Sequence, residues 1–191
     1  MYSIVPATLE HLQGILTVCS ASFVMNLPPD SARRSGATFA VYSTETLAAL
    51  LSDRHSLVAV NERAEVKGYA LYCSNVGYER AFGRPLGSFL LSAKLDVPSF
   101  SVGYLSQVCI DVEARRMGLY RTMTESSIQN FVAEGVGMLF TKIYEQNEHS
   151  INVHRALGWE MTTGTGTQLV VGDNRKSEKM RWWIFRRTLR T

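Results

Sequence analysis

Residues 103–122, GYLSQVCIDVEARRMGLYRT, constrain this chain more than any other stretch. Across Tyr104–Val112 the apolar side chains (Leu105, Val108, Cys109, Ile110, Val112) fall on both faces of an extended run, the pattern of a central strand covered on both sides. A helical period follows, with Tyr120, Met123, Ile128 and Phe131 on one face and Gly135 as the stop. Between strand and helix sit Arg115, Arg116 and Gly118. A helix N-terminus exposes unpaired N–H groups and a partial positive charge. Gly118 would let a ligand approach that backbone, and Arg115, Arg116 and Arg121 add full charges. Such a turn suits a phosphate or pyrophosphate. An ordinary strand–helix connection with solvated arginines has the same appearance, so this stretch alone does not decide.

Residues 138–159, MLFTKIYEQNEHSINVHRALGW, add a second constraint. A strand over Met138–Tyr144 leads to Asn147, a natural N-cap, with Glu148 suited to the first turn of a short helix. Gly158-Trp159 closes it. In this order and spacing the two segments resemble the GNAT family of acyl-coenzyme A N-acyltransferases. That family's first motif is Arg or Gln, two residues, Gly, one residue, then Gly or Ala; here Arg115-Arg116-Met117-Gly118-Leu119-Tyr120 stands in its place. Its second motif is an Asn followed by a small residue, an aromatic and a Gly-aromatic pair; here these are Asn147, Ser150, His154, Gly158 and Trp159. The resemblance spans residues 103–160.

It implies an α+β GNAT fold: a mixed, mostly antiparallel sheet of six to seven strands, helices on both faces, and a splay between the fourth and fifth strands. It further implies that acetyl-CoA binds along Val108, Cys109 and Ile110 with its pyrophosphate on the Arg115–Arg121 turn. Arg115, Arg116, Met117, Gly118, Leu119, Tyr120, Arg121, Asn147, Ser150 and His154 complete the implied cofactor contacts. A main-chain N–H near Ile110 would stabilise charge on the thioester oxygen. The implied activity is transfer of acetyl to a primary amine of a small-molecule or amino-acid-like acceptor. A protein or peptide acceptor, and a sensor that binds acyl-CoA without turnover, are the other two readings. A homodimer is compatible with the resemblance.

Two positions depart from the family. Tyr120 stands where Gly or Ala is usual, and His154 where a Tyr often protonates the leaving thiolate. His154 is read here as the general acid or as a contact to the cofactor sulfur; packing between Ile151 and Leu157 is the bland alternative. An acceptor amine with a pKa of about 10 must lose a proton before it attacks. Glu145, near the open end of the fifth strand, is the candidate base, with Asp111 beside it. Gln107 either orients a water or satisfies a strand edge.

The remainder of the chain gives its organisation. Its 191 residues suit one domain. The net charge of +3 suits an anionic cofactor and is too small and dispersed for nucleic acid. Cys19, Cys73 and Cys109 each lie in apolar stretches without zinc spacing, as buried thiols of a cytoplasmic protein would. No leader is expected, and no run approaches the ~18 apolar residues of a membrane helix.

Before the motifs, a strand is expected at Tyr2–Val5. A helix capped by Thr8 should bury Leu9, Leu12, Ile15, Leu16 and Cys19, extending through Phe23–Leu27 until Pro28-Pro29. Residues 28–42 are rich in turn formers. A second helix capped at Ser43 or Thr44 should bury Leu47, Leu50 and Leu51, and a hairpin should join strands at 56–61 and 66–74. Residues 75–102 form an insertion with one expected helix, Leu86–Leu95. It is either a wall over the acceptor, with Tyr78, Arg80 and Arg84 as contacts, or a packing or subunit element. After Trp159, a strand over Met161–Val171 interrupted by Gly164 and Gly166, a polar loop over 172–180, and a last strand over Arg181–Leu189 complete the chain. Trp182 and Trp183 should point to opposite faces of that strand.

Overall fold

The computed structural model describes residues 1–23, 26, 38, 40–171 and 177–189. Seven strands make one sheet: β1 (Tyr2–Pro6), β2 (Leu57–Asn61), β3 (Val66–Ser74), β4 (Val102–Ile110), β5 (Met138–Tyr144), β6 (Glu160–Val171) and β7 (Ser177–Thr188). Their order is β1-β2-β3-β4-β5-β7-β6. Every pairing is antiparallel except β4 with β5.

The helices cover both faces. On one side lie α1 (Leu12–Ala21), α2 (Thr44–Ser52), α3 (Asn75–Phe82) and α4 (Leu86–Ser92), packed on Val58, Tyr69, Leu71, Tyr104, Phe140 and Ile184. On the other lie α5 (Leu119–Ala133) and α6 (Glu148–Ala156), packed on Tyr72, Leu105, Leu139, Ile143, Trp159 and Phe185. The period of two along each strand sorts these residues: Phe140 and Leu139 are neighbours in sequence and lie in different cores. Trp182 and Trp183 divide in the same way.

The parallel pair is short. Val102 to Leu105 face Met138 to Thr141, and no later residue of β4 pairs with β5. A bulge explains the parting. Leu71 of β3 faces Gln107, while the next residue, Tyr72, faces Leu105, so Ser106 is an extra residue in β4. A bulge bends its strand and increases local twist, here at the last paired residue. Thr141 Oγ1 donates to the Leu105 carbonyl at 2.8 Å and satisfies it at the fork. Beyond it, the β5-facing edge of Ser106–Ile110 has no strand partner.

Several local expectations are corrected. Thr8 caps a 3-10 turn, Leu9–His11, before α1 begins, and its N–H donates to His11 Nδ1 at 3.1 Å. The tighter turn rotates the apolar face, so Leu9 is exposed and Val18 is buried instead. Helix α1 ends at Ala21, and Phe23 bridges to Thr38 rather than continuing it; most of 24–37 lies outside the described residues. The insertion holds two helices, α3 and α4. Ser74 caps the first, accepting from Gly77 N, and Gly83 in the left-handed region ends it. Strand β7 starts at Ser177, so the polar loop is shorter than expected; its residues 172–176 lie outside the described set. Gly166 is required because the Trp182 ring occupies the place of any Cβ.

A polar latch ties α2, the end of β3 and the end of α5. Asp53 accepts from Ser74 N at 2.6 Å and Ser74 Oγ at 2.9 Å. His55 bridges Asp53 and Glu134, each at 2.9 Å, and stacks on Phe131 with 4.4 Å between ring centroids. Burial alone would lower the His55 pKa, but its bonds to Asp53 and Glu134 outweigh it and raise the value to about 9.

Candidate active site

Two clefts meet where β4 and β5 part. The first, of about 470 Å³, runs from the start of α5 along β4 to α6. Val108, Cys109, Ile110, Arg115, Arg116, Gly118, Leu119, Tyr120, Arg121, Asn147, Ser150 and His154 all line it. The sequence thus named residues that the fold brings together from across Val108 to His154. Met117 does not line it and is largely exposed.

The turn before α5 is built for an anion. Arg116 has φ +65° and Gly118 has φ +76°, both left-handed, with Arg115 extended between a 3-10 turn and Arg116. Two left-handed residues this close turn the chain tightly from the end of β4 into α5. The first backbone bond of α5 is Thr122 N to Gly118 O at 3.0 Å, so the amides before it begin the helix without helical acceptors. Nothing lies within 4 Å of a Cβ built on Gly118, which leaves its backbone open to the cleft. Arg115 Nε donates to the Ile110 carbonyl at 3.1 Å and holds the turn against the end of β4.

Asn147 caps α6, its side chain accepting from Ser150 N at 3.2 Å. That cap sets the helix so that His154 points inward. His154 is buried, and both ring nitrogens are engaged. Nδ1 donates to the Ser150 carbonyl at 2.7 Å, leaving Nε2 to accept from the Tyr120 hydroxyl at 2.9 Å. Burial pushes its pKa down to about 4, against the smaller opposing pull of the Ser150 carbonyl. At neutral pH the ring is uncharged and its single N–H is spent on a carbonyl. This works against the general-acid role expected of His154. The two sequence departures are partners: Tyr120 turns its hydroxyl to the residue that stands in the place of the usual tyrosine.

Glu145 does not join the site. It is half exposed, 3.9 Å from Arg181 Nε, and lines neither cleft. It follows the last residue of β5, where its N–H donates to the Arg181 carbonyl at 3.0 Å and its side chain lies by the exposed Arg181. Asp111 is taken by Lys67 at 3.4 Å and by Glu113 N at 3.1 Å. Gln107 lines the second cleft with both ends of its amide engaged: it accepts from Tyr69 Oη at 2.7 Å and donates to the Ala40 carbonyl at 2.8 Å.

The second cleft, of about 460 Å³, lies on the other side of the fork and shares Thr38, Val108, Asn147, Ser150 and His154 with the first. Tyr42 enters it from before α2, with Oη 2.7 Å from Ser106 Oγ at the bulge. The insertion supplies Tyr78, Phe82, Arg84 and Phe89. Tyr78 and Arg84 therefore face the cleft as expected, while Arg80 turns outward to Ser52 Oγ at 3.1 Å. Tyr78 and Phe89 are also core residues, so the insertion packs and walls at once. Lys142 of β5 donates to Gln168 of β6 at 2.8 Å. Burial, and then the charge of Arg84, lower its pKa to about 8. Among the described residues no Asp or Glu lines either cleft.

Sequence reasoning missed Tyr42, Ser106, Lys142, Tyr144 and Gln168. One signal was present for Lys142: it is the single charged residue inside an otherwise uncharged strand. His149, at the second position of α6, was missed too. It lines the first cleft, and burial and the Arg115 charge lower its pKa. Among the described residues no group of His, Cys, Asp and Glu could hold a metal ion, and no helix is long and apolar enough to cross a membrane.

No sequence-family model matches the chain, and no curated protein matches it. Solved structures do match it in shape. A ribosomal-protein-alanine N-acetyltransferase from Brucella melitensis is 23% identical, with a TM-score of 0.64 over 98% of this chain and 99% of that one. Naa20 from Chaetomium thermophilum, solved with a bisubstrate analogue, is 16% identical, with a TM-score of 0.66 over 98% of this chain and 86% of that one. A chain of the NatC complex bound to Gag peptide and CoA is 12% identical, with a TM-score of 0.66 over 99% of each chain. By its strand order, its single parallel pair that forks at a bulge, and these likenesses, the chain has the GNAT fold of N-acetyltransferases.

Proposed function

We propose that the protein is an N-acyltransferase that moves acetyl from acetyl-CoA to a primary amine of a small molecule or amino-acid-like acceptor, by direct attack in a ternary complex. The observation that carries this is the junction of the two clefts at the fork. One leads from an anion-binding turn, and the other opens on a pocket of different chemistry. An extended amide arm fits the unpartnered edge of β4 as an added strand would. Arg116 to Arg121 would hold the pyrophosphate through their amides, with Arg115, Arg116 and Arg121 adding charge. Asn147, Ser150 and Val153 would wall the arm on the α6 side.

Acetyl-CoA supplies a thioester: an N–C bond forms as the C–S bond breaks, and the proton lost by the amine ends on sulfur. With no carboxylate in either cleft among the described residues, Glu145 is not retained as base. Hydroxyls of Tyr42 and Ser106 would instead pass the amine proton to water. Tyr120 spends its hydroxyl proton on the neutral His154 ring, so the proton taken up by the leaving sulfur would come from the same water. The three buried free thiols favour a reducing, cytoplasmic setting.

A second acceptor class, a protein or peptide, is favoured by two neighbours in shape, one named as a ribosomal-protein-alanine N-acetyltransferase and one bound to a Gag peptide. Titration calorimetry of acetyl-CoA, with Gly118→Trp as control, tests the cofactor half. Micromolar binding abolished by the substitution supports it, and no binding to acetyl-CoA or free CoA overturns it. Thiol release with a panel of amines and N-terminal peptides then separates the acceptors. Binding without release on any of them would mark a sensor.

A further inference from the structure

The second cleft pairs two cations with no anion among the described residues. Lys142 Nζ lies 5.3 Å from the Tyr144 ring centroid and 5.8 Å from that of Trp182. Arg84 Cζ lies 5.3 Å from the Phe89 centroid, and Phe89 is tilted against Trp182 at 5.7 Å. The two side chains are thus held over one connected aromatic floor, near enough that each opposes the other's charge. Their polar contacts among the described residues are neutral: Gln168 for Lys142 and the Tyr78 hydroxyl for Arg84. Like charges gathered over rings, with no carboxylate on the walls among the described residues, leave Lys142, the more buried of the two, without a counter-ion there. A ligand can supply it.

Building on the acetyl-transfer reading, we propose that the acceptor carries a carboxylate that Lys142 and Arg84 hold, while its amine reaches toward the fork. The class is a free amino acid or a similar amino-carboxylate. The same charges disfavour diamines and polyamines, whose second ammonium would meet Lys142 and Arg84. They also lower the pKa of the attacking amine, easing its deprotonation where no carboxylate base stands by. The Tyr78, Phe82 and Phe89 wall closes over a small molecule of this kind and leaves an internal peptide bond, which has no carboxylate, without a charge partner.

The test uses the full chain. Acetyl-CoA affinity is first measured by calorimetry, then thiol release with a set of L-amino acids, their amides, diamines, and an alanine-initiated tetrapeptide amide. We expect kcat/KM for the best amino acid to exceed that of its amide by about 30-fold or more, near 2 kcal/mol. Lys142→Met should bring the ratio near one through KM, with acetyl-CoA affinity unchanged. Arg84→Met should have a weaker effect of the same sign, since Arg84 is the more exposed. Loss of acetyl-CoA binding by the wild type would overturn the transferase reading and this inference together. Normal acetyl-CoA binding with amides, diamines or the peptide preferred, with no acid turned over, or with a ratio that Lys142→Met leaves intact, would overturn this inference alone.

Discussion

The two clefts on either side of the β4–β5 fork are made of different materials. The first is largely backbone: left-handed Arg116 and Gly118, the opening amides of α5, and the unpartnered edge of β4. It comes mostly from two contiguous segments, with Ser22 and Thr38 added. The second is almost wholly side chain, drawn from the stretch before α2, the insertion, β4, β5 and β6. A site built of backbone tolerates change in most side chains and fails where the main chain is blocked. A site built of side chains loses selectivity with each one removed, and those that also pack the core carry stability with them.

Phe89→Ala should have the largest effect. Phe89 is 3% exposed and touches Tyr78, Tyr104 and Trp182. Truncation should cost about 3–5 kcal/mol of stability, read by urea denaturation, while the folded protein keeps its acetyl-CoA affinity. A drop in that affinity would mean that the clefts are coupled through the core and break the comparison.

Gly118→Trp should weaken acetyl-CoA binding about 100-fold or more, near 2.7 kcal/mol, with a normal circular dichroism spectrum. The strain of φ +76° in a non-glycine residue adds a cost to folding of about 1–2 kcal/mol. Retained affinity would remove the anion-binding turn from the first cleft.

Tyr120→Phe sharpens the same side. It leaves buried His154 Nε2 without a donor, which should cost about 1–2 kcal/mol in denaturation. Acetyl-CoA affinity should change little, because the hydroxyl is already engaged by His154. Unchanged stability would mean that water replaces the hydroxyl and that the pairing with Tyr120 is incidental.

The smallest effect lies outside both clefts. His55, raised to about 9, contributes stability that is full below its ordinary value of 6.5 and lost as pH rises through about 9. Asp53, lowered, contributes stability present above its ordinary value and lost as pH falls. The melting temperature should therefore decline by a few degrees between pH 7 and 10. His55→Asn should flatten that decline. A decline of equal size in the variant would assign it to other groups.

Much of the fold was legible because its signals are local. The Ser43 cap, the Gly135 stop, the β2–β3 hairpin and the opposed tryptophans each follow from neighbours in sequence. The first cleft was legible for the same reason: a glycine at a left-handed turn and an N-capping Asn imply their geometry wherever they stand. Arg116 shows the limit, because a left-handed arginine carries no mark in the sequence. Glu145 was misplaced because it lies just past β5, where its contact with Arg181 of β7, 36 positions on, sets its place. The Tyr120–His154 contact joins residues 34 apart, and neither residue names the other.

By itself the sequence determined the strands, the helices that flank the fork, the glycine turn before α5 and the cap that starts α6, since these depend on backbone preference and helix ends. Only the tertiary structure decided that Ser106 is an extra residue where the sheet parts, that His154 is neutral, and that Lys142 and Arg84 share one aromatic pocket. Those depend on register and burial, and a side chain's charge and partner are set by what the distant chain brings beside it.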